Sequence, residues 1–213
     1  MNNRKVRTIL AYIISYLPTS KLRVFFYGKI LKYKITNSSV GWRTVIAVVE
    51  AELVGCSIGR NNRFIGPMVM TVKNGASILD NNNFNCGWWA SKDKLEKSDD
   101  GRSLLVGENT LITINHHFDL VGSFVLGDNS WIAGTGSQFW THGAGVPDRN
   151  ITIGKRCYIG SAVRFAPGSS VADNCIVGLG SIVVKKHKES NAVIAGNPAK
   201  VLKENYNILI DLN

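Results

Sequence analysis

The sequence predicts an all-β fold: a parallel solenoid wound from six-residue units, preceded by a helical arm. Three observations carry that prediction. Ile153, Ile159, Phe165, Val171, Val177 and Val183 fall at every sixth position. The residue after each is small or apolar (Gly154, Gly160, Ala166, Ala172, Gly178, Val184), and a second column of small or β-branched residues runs Cys157, Val163, Ser169, Cys175, Ser181. The 21 glycines suit a chain that turns often. A period of six is neither the 3.6 of a helix nor the 2 of a half-exposed strand. It marks a hexapeptide solenoid, in which each hexad is a short strand and a tight corner and three hexads close one coil. The apolar residue points inward, the small residue beside it allows the corner, and the coils stack through parallel backbone hydrogen bonds.

The elements follow in order. Val6, Ile9, Leu10, Ile13, Ile14 and Leu17 keep helical spacing and predict an amphipathic helix that Pro18 ends. Ser20 is a candidate cap for a second helix through Leu31, with Leu22, Phe25, Phe26 and Ile30 on one face. The pair can cover the open end of the solenoid or, with its basic flanks, lie on a membrane surface. Imperfect hexads begin near Val40 (Ile58, Phe64, Ile78, Phe84), resume at Val106, Ile112 and Phe118, slip by two residues, and continue at Leu126 and Ile132. Two interruptions are expected as loops, at 90–103 and 138–152. The segment 195–201 (AGNPAKV) is expected to leave the solenoid. The expected organisation is a basic helical arm over 1–39, the solenoid over 40–202, and a short C-terminal extension over 203–213.

Composition narrows the class. At 213 residues the chain is one domain with an appendage. No run of about 18 uncharged apolar residues exists and no small-residue cleavage site follows the basic start, so a cytoplasmic protein is expected, peripheral to a membrane at most. Cys56, Cys86, Cys157 and Cys175 lack metal-ligand spacing. Cys157 and Cys175 are one coil apart and are expected to stack about 4.8 Å apart, within disulfide range, with reduced thiols the expected state. The net charge of +10 is uneven: residues 1–49 hold nine Lys or Arg and no acid, and the remainder is nearly balanced. Basicity confined to an arm argues against nucleic acid as a partner.

The stretches 151–162 (ITIGKRCYIGSA), 166–168 (APG), 178–183 (GLGSIV) and 195–201 (AGNPAKV) resemble the C-terminal half of the hexapeptide-repeat O-acetyltransferases, among them maltose and galactoside acetyltransferases and those of polysaccharide and lipopolysaccharide biosynthesis. The resemblance is strong over 126–202. It implies a left-handed parallel β-helix, acetyl-CoA as co-substrate with no metal, a sugar or glycan acceptor, and a homotrimer with active sites between subunits. His142, on the loop before the ITIG strand, takes the place of the family's catalytic base. A sugar hydroxyl must lose its proton as it attacks a thioester, and an imidazole suits that task near neutral pH. By resemblance the Ser161 N–H stabilises the oxyanion, and Leu179, Val184, Lys185, Lys186 and Pro198 line the coenzyme A groove. Asp148, in the same loop as His142, either orients the imidazole or caps a corner. Asn85 resembles a residue near the family's acceptor site, although 57 residues separate it from His142, about a coil and a loop more than in the sugar enzymes. Trp88, Trp89 and Trp140 are candidates for stacking on a sugar, and Trp131 reads as structural.

His116 and His117 rival His142 as base. Adjacent strand residues face opposite ways, so at most one can serve a given site. Four histidines also admit a γ-carbonic-anhydrase-type zinc enzyme, and a non-catalytic scaffold is the third alternative.

Overall fold

The computed structural model describes residues 4–87 and 101–206. The chain winds as a parallel solenoid of three faces. On the first face, Ile46, Phe64, Phe84, Phe118, Phe139, Phe165 and Val183 stack in register. The second face stacks Leu53, Val72, Val106, Leu126, Ile153, Val171 and His187. On the third, Val40, Ile58, Ile78, Ile112, Ile132, Ile159, Val177 and Ile194 do the same. Every hexad residue of the sequence pattern lies in one of these columns. The Phe118-to-Leu126 slip is a wider corner between the first and second faces, not a lost register.

The corners use two different devices. Where a glycine follows a core residue, close approach sets it: a Cβ on Gly154 would sit 2.5–2.7 Å from Ala172 and Asp173 in the next coil. The left-handed corner residue itself is often asparagine, as at Asn81, Asn129 and Asn174 (φ 56–63°), a residue that tolerates this conformation through its short polar side chain. Asparagine and glycine therefore share the positive-φ positions, nine of each among the described residues.

An internal polar ladder rises along the corner between the third and first faces. Thr44 Oγ1 accepts from the Asn62 N–H, Asn62 Oδ1 from the Asn82 N–H, and Asn82 Oδ1 from the His116 N–H. His116 Nδ1 then accepts from the Ser137 N–H at 3.1 Å, which leaves Nε2–H to donate to Thr113 Oγ1 at 2.9 Å. His116 is thus a buried rung, and His117 beside it faces outward, as strand alternation requires. Burial lowers the His116 pKa from 6.5 to about 4. The unfolded chain then binds the extra proton, so stability is lost as pH falls from 6.5 toward 4 and is recovered above 6.5. Full protonation costs about 3 kcal/mol. The expected result is a denaturation midpoint that falls between neutral pH and pH about 4. His116→Asn, which copies Asn82, should reduce that slope; an unchanged slope would remove His116 as its source.

Helices Arg4–Ser15 (α1) and Ser20–Leu31 (α2) cover the first coil. Ala11, Ile14, Tyr27 and Leu31 join the core. The Tyr27 hydroxyl donates to the Thr44 carbonyl at 2.8 Å. Three expectations are corrected. The cap of α2 is Thr19, whose hydroxyl accepts from the Leu22 N–H; Ser20 instead accepts from Val40 N–H. The buried face of α2 is Arg23, Tyr27 and Leu31, and Leu22, Phe25 and Ile30 are exposed. Tyrosine hydroxyls and a guanidinium could reach the first coil's carbonyls, which aliphatic side chains cannot satisfy. The second interruption is shorter than 138–152: Gln138–Trp140 and Ile151–Ile153 are strands of the solenoid, and the loop is 141–150.

The C-terminal segment does not leave the solenoid. Val193–Gly196 pairs parallel with the coil below it, and Ala199–Lys203 folds back antiparallel on it. This hairpin occupies what would otherwise be an open strand edge. Cys157 and Cys175 stack as free, buried thiols. Among the described residues, no helix is long and apolar enough to cross a membrane.

Candidate active site

The outward side chains of the first face form the chemistry-bearing surface. Each strand there reads polar–Phe–polar: Asn83-Phe84-Asn85, then His117-Phe118-Asp119, then Gln138-Phe139-Trp140, in direct register. The phenylalanine points inward and its two neighbours point outward, so Asn83, His117 and Gln138 make one column and Asn85, Asp119 and Trp140 another. The extra separation between Asn85 and His142 is explained: one whole coil, carrying His117-Phe118-Asp119, lies between the Asn85 strand and the strand before His142.

His142 follows that last strand, on the loop 141–150. Thr141 fixes its position: the Thr141 hydroxyl donates to the Asp119 carbonyl at 2.7 Å and accepts from the Gly122 N–H at 2.8 Å. His142 Nδ1 lies 3.9 Å from Asp119 Oδ2, and the His142 side chain is 47% exposed against 16% for Asp119. At 3.9 Å the contact is electrostatic, not a formed hydrogen bond. Burial raises the Asp119 pKa, and the neighbouring His142 and His117 oppose that shift. One half-buried carboxylate therefore answers two imidazoles. His117 Nδ1 stands 3.1 Å from Asn83 Nδ2. An amide nitrogen only donates, so this contact holds the neutral His117 as its Nε2–H tautomer. The Trp140 ring lies 5.0 Å from the His117 ring, and Gln138 Oε1 accepts from Arg164 Nε at 3.2 Å.

Of the two places the loop sequence offered Asp148, its contacts match the corner cap, with an added tie to the last coil. Its Oδ2 binds Lys186 Nζ at 2.6 Å and its Oδ1 accepts from the Asn150 N–H. The Lys186 hydrogen bond, first, holds the Asp148 pKa low. The carboxylate beside His142 is Asp119, and Asp148 ties the loop to the last coil. Lys186 is likewise engaged in that ion pair. Breaking an exposed pair of this kind costs about 0.2–1 kcal/mol. Asp148→Asn should therefore lower turnover only a few-fold with the pH profile unmoved, whereas Asp119→Asn should also move the profile. Matching profiles for the two variants would contradict this assignment.

The remaining expected residues fall on two edges of the first face. Val184, Lys185 and Lys186 sit on the His142 edge. Ser161 and Leu179 occupy the opposite corner, before strands Arg164–Phe165 and Ile182–Val183, with Pro198 in the hairpin that follows the third face. The width of the face separates Ser161 from His142, about 15 Å or more at roughly 3.3 Å per residue. Within one chain they cannot act on the same atom. Trp88, Trp89 and most of the 90–103 interruption lie outside the described residues.

His187 is buried on the last coil, and burial lowers its pKa. Among the described residues, no group of three or more His, Cys, Asp or Glu is placed to hold a metal ion. The sequence reading missed Asp119, Gln138 and Arg164. The repeated x-Phe-x pattern over three strands was the signal that could have placed Asp119 in this site.

No family model matches the chain. By fold it is a left-handed hexapeptide-repeat β-helix: it superposes on a hexapeptide-repeat acetyltransferase from Vibrio cholerae, VCA0836, with TM-score 0.54 and 15% identity, over 96% of this chain and 91% of that one. The polysialic acid acetyltransferase NeuO gives TM-score 0.52 at 17% identity, covering 84% of each chain. By sequence it is similar to O-acetyltransferases. Galactoside O-acetyltransferase of Escherichia coli K12 is 46% identical over 54 residues, 25% of this chain and 26% of that protein. WbbJ of Escherichia coli K12, named for an inferred O-acetyl transfer in lipopolysaccharide biosynthesis, is 31% identical over 104 residues, 49% of this chain and 48% of that protein. The chain thus spans between a quarter and a half of the length of these curated relatives.

Proposed function

We propose that the protein is an acetyl-CoA-dependent O-acetyltransferase acting on a hydroxyl of a sugar, a polysaccharide or a lipid-linked glycan precursor. The observation that supports this best is the His142–Asp119 pair, set where a solenoid strand ends in a loop, in a chain whose curated matches are O-acetyltransferases. The exposed edge residues fit coenzyme A. Leu179 is 80% exposed and Val184 49%, apolar surface that a pantetheine arm would cover, and Lys185 adds a cation for phosphate.

Acetyl-CoA supplies an acetyl group activated as a thioester. Asp119 faces His142 Nδ1, so Nδ1 keeps the proton and Nε2 is the base. Nε2 takes the proton of the acceptor hydroxyl as its oxygen forms the new ester bond. The imidazolium, steadied by Asp119, returns that proton to the departing thiolate. The Ser161 N–H donates to the oxygen on which charge develops. Trp140, Asn85 and His117 form the outward surface beside His142 where the acceptor would lie. Because Ser161 and His142 occupy opposite edges, the reading calls for two copies at each site, as a homotrimer would supply. A cytoplasmic enzyme whose arm, residues 1–34, touches an anionic membrane would meet a lipid-linked acceptor there.

The test is thermal shift with acetyl-CoA, followed by thiol release with a panel of glycan acceptors. A ligand that binds only the native state raises the melting temperature by mass action. No shift with acetyl-CoA, or stoichiometric zinc in the purified protein, would overturn the reading.

A further inference from the structure

The helical end of the molecule carries more apolar surface than the solenoid needs. The inner half of the α1 stripe, Ala11 and Ile14 with Leu10 and Leu17 partly covered, closes the first coil. The outer half remains uncovered: Ile9 is 59% exposed, Ile13 60% and Tyr16 55%. Ile9 and Ile13 are one turn apart on α1, and Tyr16 in the turn directly after it extends the strip. Tyr16 meets Trp42, itself 45% exposed, edge to face at 6.0 Å. The Arg43 guanidinium lies over both rings, 5.9 and 5.5 Å from their centroids. On α2, Phe25 is exposed with Lys29 Nζ 5.4 Å from its ring centre.

The charge around these side chains is predominantly basic; exposed Glu50 and Glu52 lie with Lys32 and Lys34 at the Ile30 side of this end. Of the nine Lys and Arg before Glu50, only Arg7 and Arg23 are turned inward, to the carbonyls of Val48, Val49, Val40 and Leu17. Arg4, Lys5, Lys21, Lys29, Lys32, Lys34 and Arg43 are exposed. A second copy of this end would set like charges against each other, and self-association is disfavoured for that reason. An anionic lipid surface satisfies both features: aliphatic side chains enter the acyl boundary, Tyr and Trp sit at headgroup level, and the cations meet phosphate.

We infer that the capped end of the solenoid is a membrane foot, on which Ile9, Ile13 and Tyr16 insert into an anionic bilayer and the surrounding Lys and Arg hold its headgroups. This deepens the membrane contact in the proposed function and does not depend on acetyl transfer. It corrects the amphipathic-arm reading in one respect: α1 covers the core and faces the lipid at once, with two different halves of its apolar surface.

The experiment is co-sedimentation of the full chain with phosphatidylcholine vesicles and with vesicles that also contain phosphatidylglycerol. Binding is expected only with the anionic lipid, falling as salt rises. The exposed double variant Ile9→Ser/Ile13→Ser should bind at least about tenfold more weakly, on the order expected for two isoleucines left in water. Its melting temperature and its shift with acetyl-CoA should stay unchanged, which separates failure of the foot from failure of the enzymatic reading. Lys21→Glu/Lys29→Glu should weaken binding without altering the apolar strip. Equal binding of the isoleucine variant, binding indifferent to lipid charge, or a change of oligomer size with vesicle binding intact would overturn the proposal; the last would assign the strip to a second copy.

Discussion

Replacing His142 by alanine is expected to lower acetyl transfer by about 10²–10⁴-fold, the usual worth of a positioned general base, while the thermal shift with acetyl-CoA persists. The two readouts separate because, on the proposed reading, His142 on the loop after Gln138–Trp140 acts on the acceptor hydroxyl and is not among the residues that hold coenzyme A. Asp119→Asn should cost less, about tenfold or more, because the 3.9 Å contact orients an imidazole that Thr141 already positions. A variant lacking His142 that still turns over near the wild-type rate would remove it as the base. In that event His117, the other imidazole facing Asp119, is the group to test next.

The two-edge arrangement gives the same variants a second use. Chains carrying His142→Ala have an intact Ser161 corner, and chains with that corner blocked have an intact His142. Mixed assemblies of the two should recover part of the activity that neither shows alone. Recovery requires the two corners to act on one acetyl group from different copies, so its absence would count against a site between subunits.

How far the sequence was legible depends on which residues repeat. The core columns were readable because each coil must place an apolar residue at the same station: Ile153, Ile159 and Phe165 announce the second, third and first faces in turn. The same logic made Cys157 and Cys175 readable as stacked neighbours. Partners chosen across coils were not readable. Asp119 lies 23 positions before His142, and nothing in a linear spacing distinguishes it from Asp148, six positions after. Only the stacking register, Asp119 opposite Trp140, brings it beneath the loop. The helices failed for a different reason. Their apolar residues follow helical spacing but exceed what one coil can cover, so spacing alone could not say which half is buried. On α2 the deciding interactions are polar, from Arg23 and Tyr27 to backbone carbonyls, and hydrophobic periodicity does not register them.

Phe118 is where the fold and the candidate site meet, and it carries the largest expected effect on stability. Its ring stacks on Phe84 at 4.2 Å and on Phe139 at 4.6 Å, and meets Phe124 edge-on at 5.0 Å. All four rings are fully buried. Phe118→Ala removes the middle member of the stack and should cost about 3–5 kcal/mol, read as a lower denaturation midpoint. The loss should spread beyond one coil, because neighbouring coils are stabilised by each other's stacking. The same ring separates His117 from Asp119 along the strand, so it sets the height at which both stand above the face. Phe118→Leu, which keeps a branched apolar side chain, should recover much of the stability and still reduce turnover, because side chains on the two sides of a shifted Cα move together. If Phe118→Leu is destabilised but fully active at temperatures where it remains folded, then the stack supports the coil without positioning the site, and the outward pair owes its placement to the backbone ladder alone.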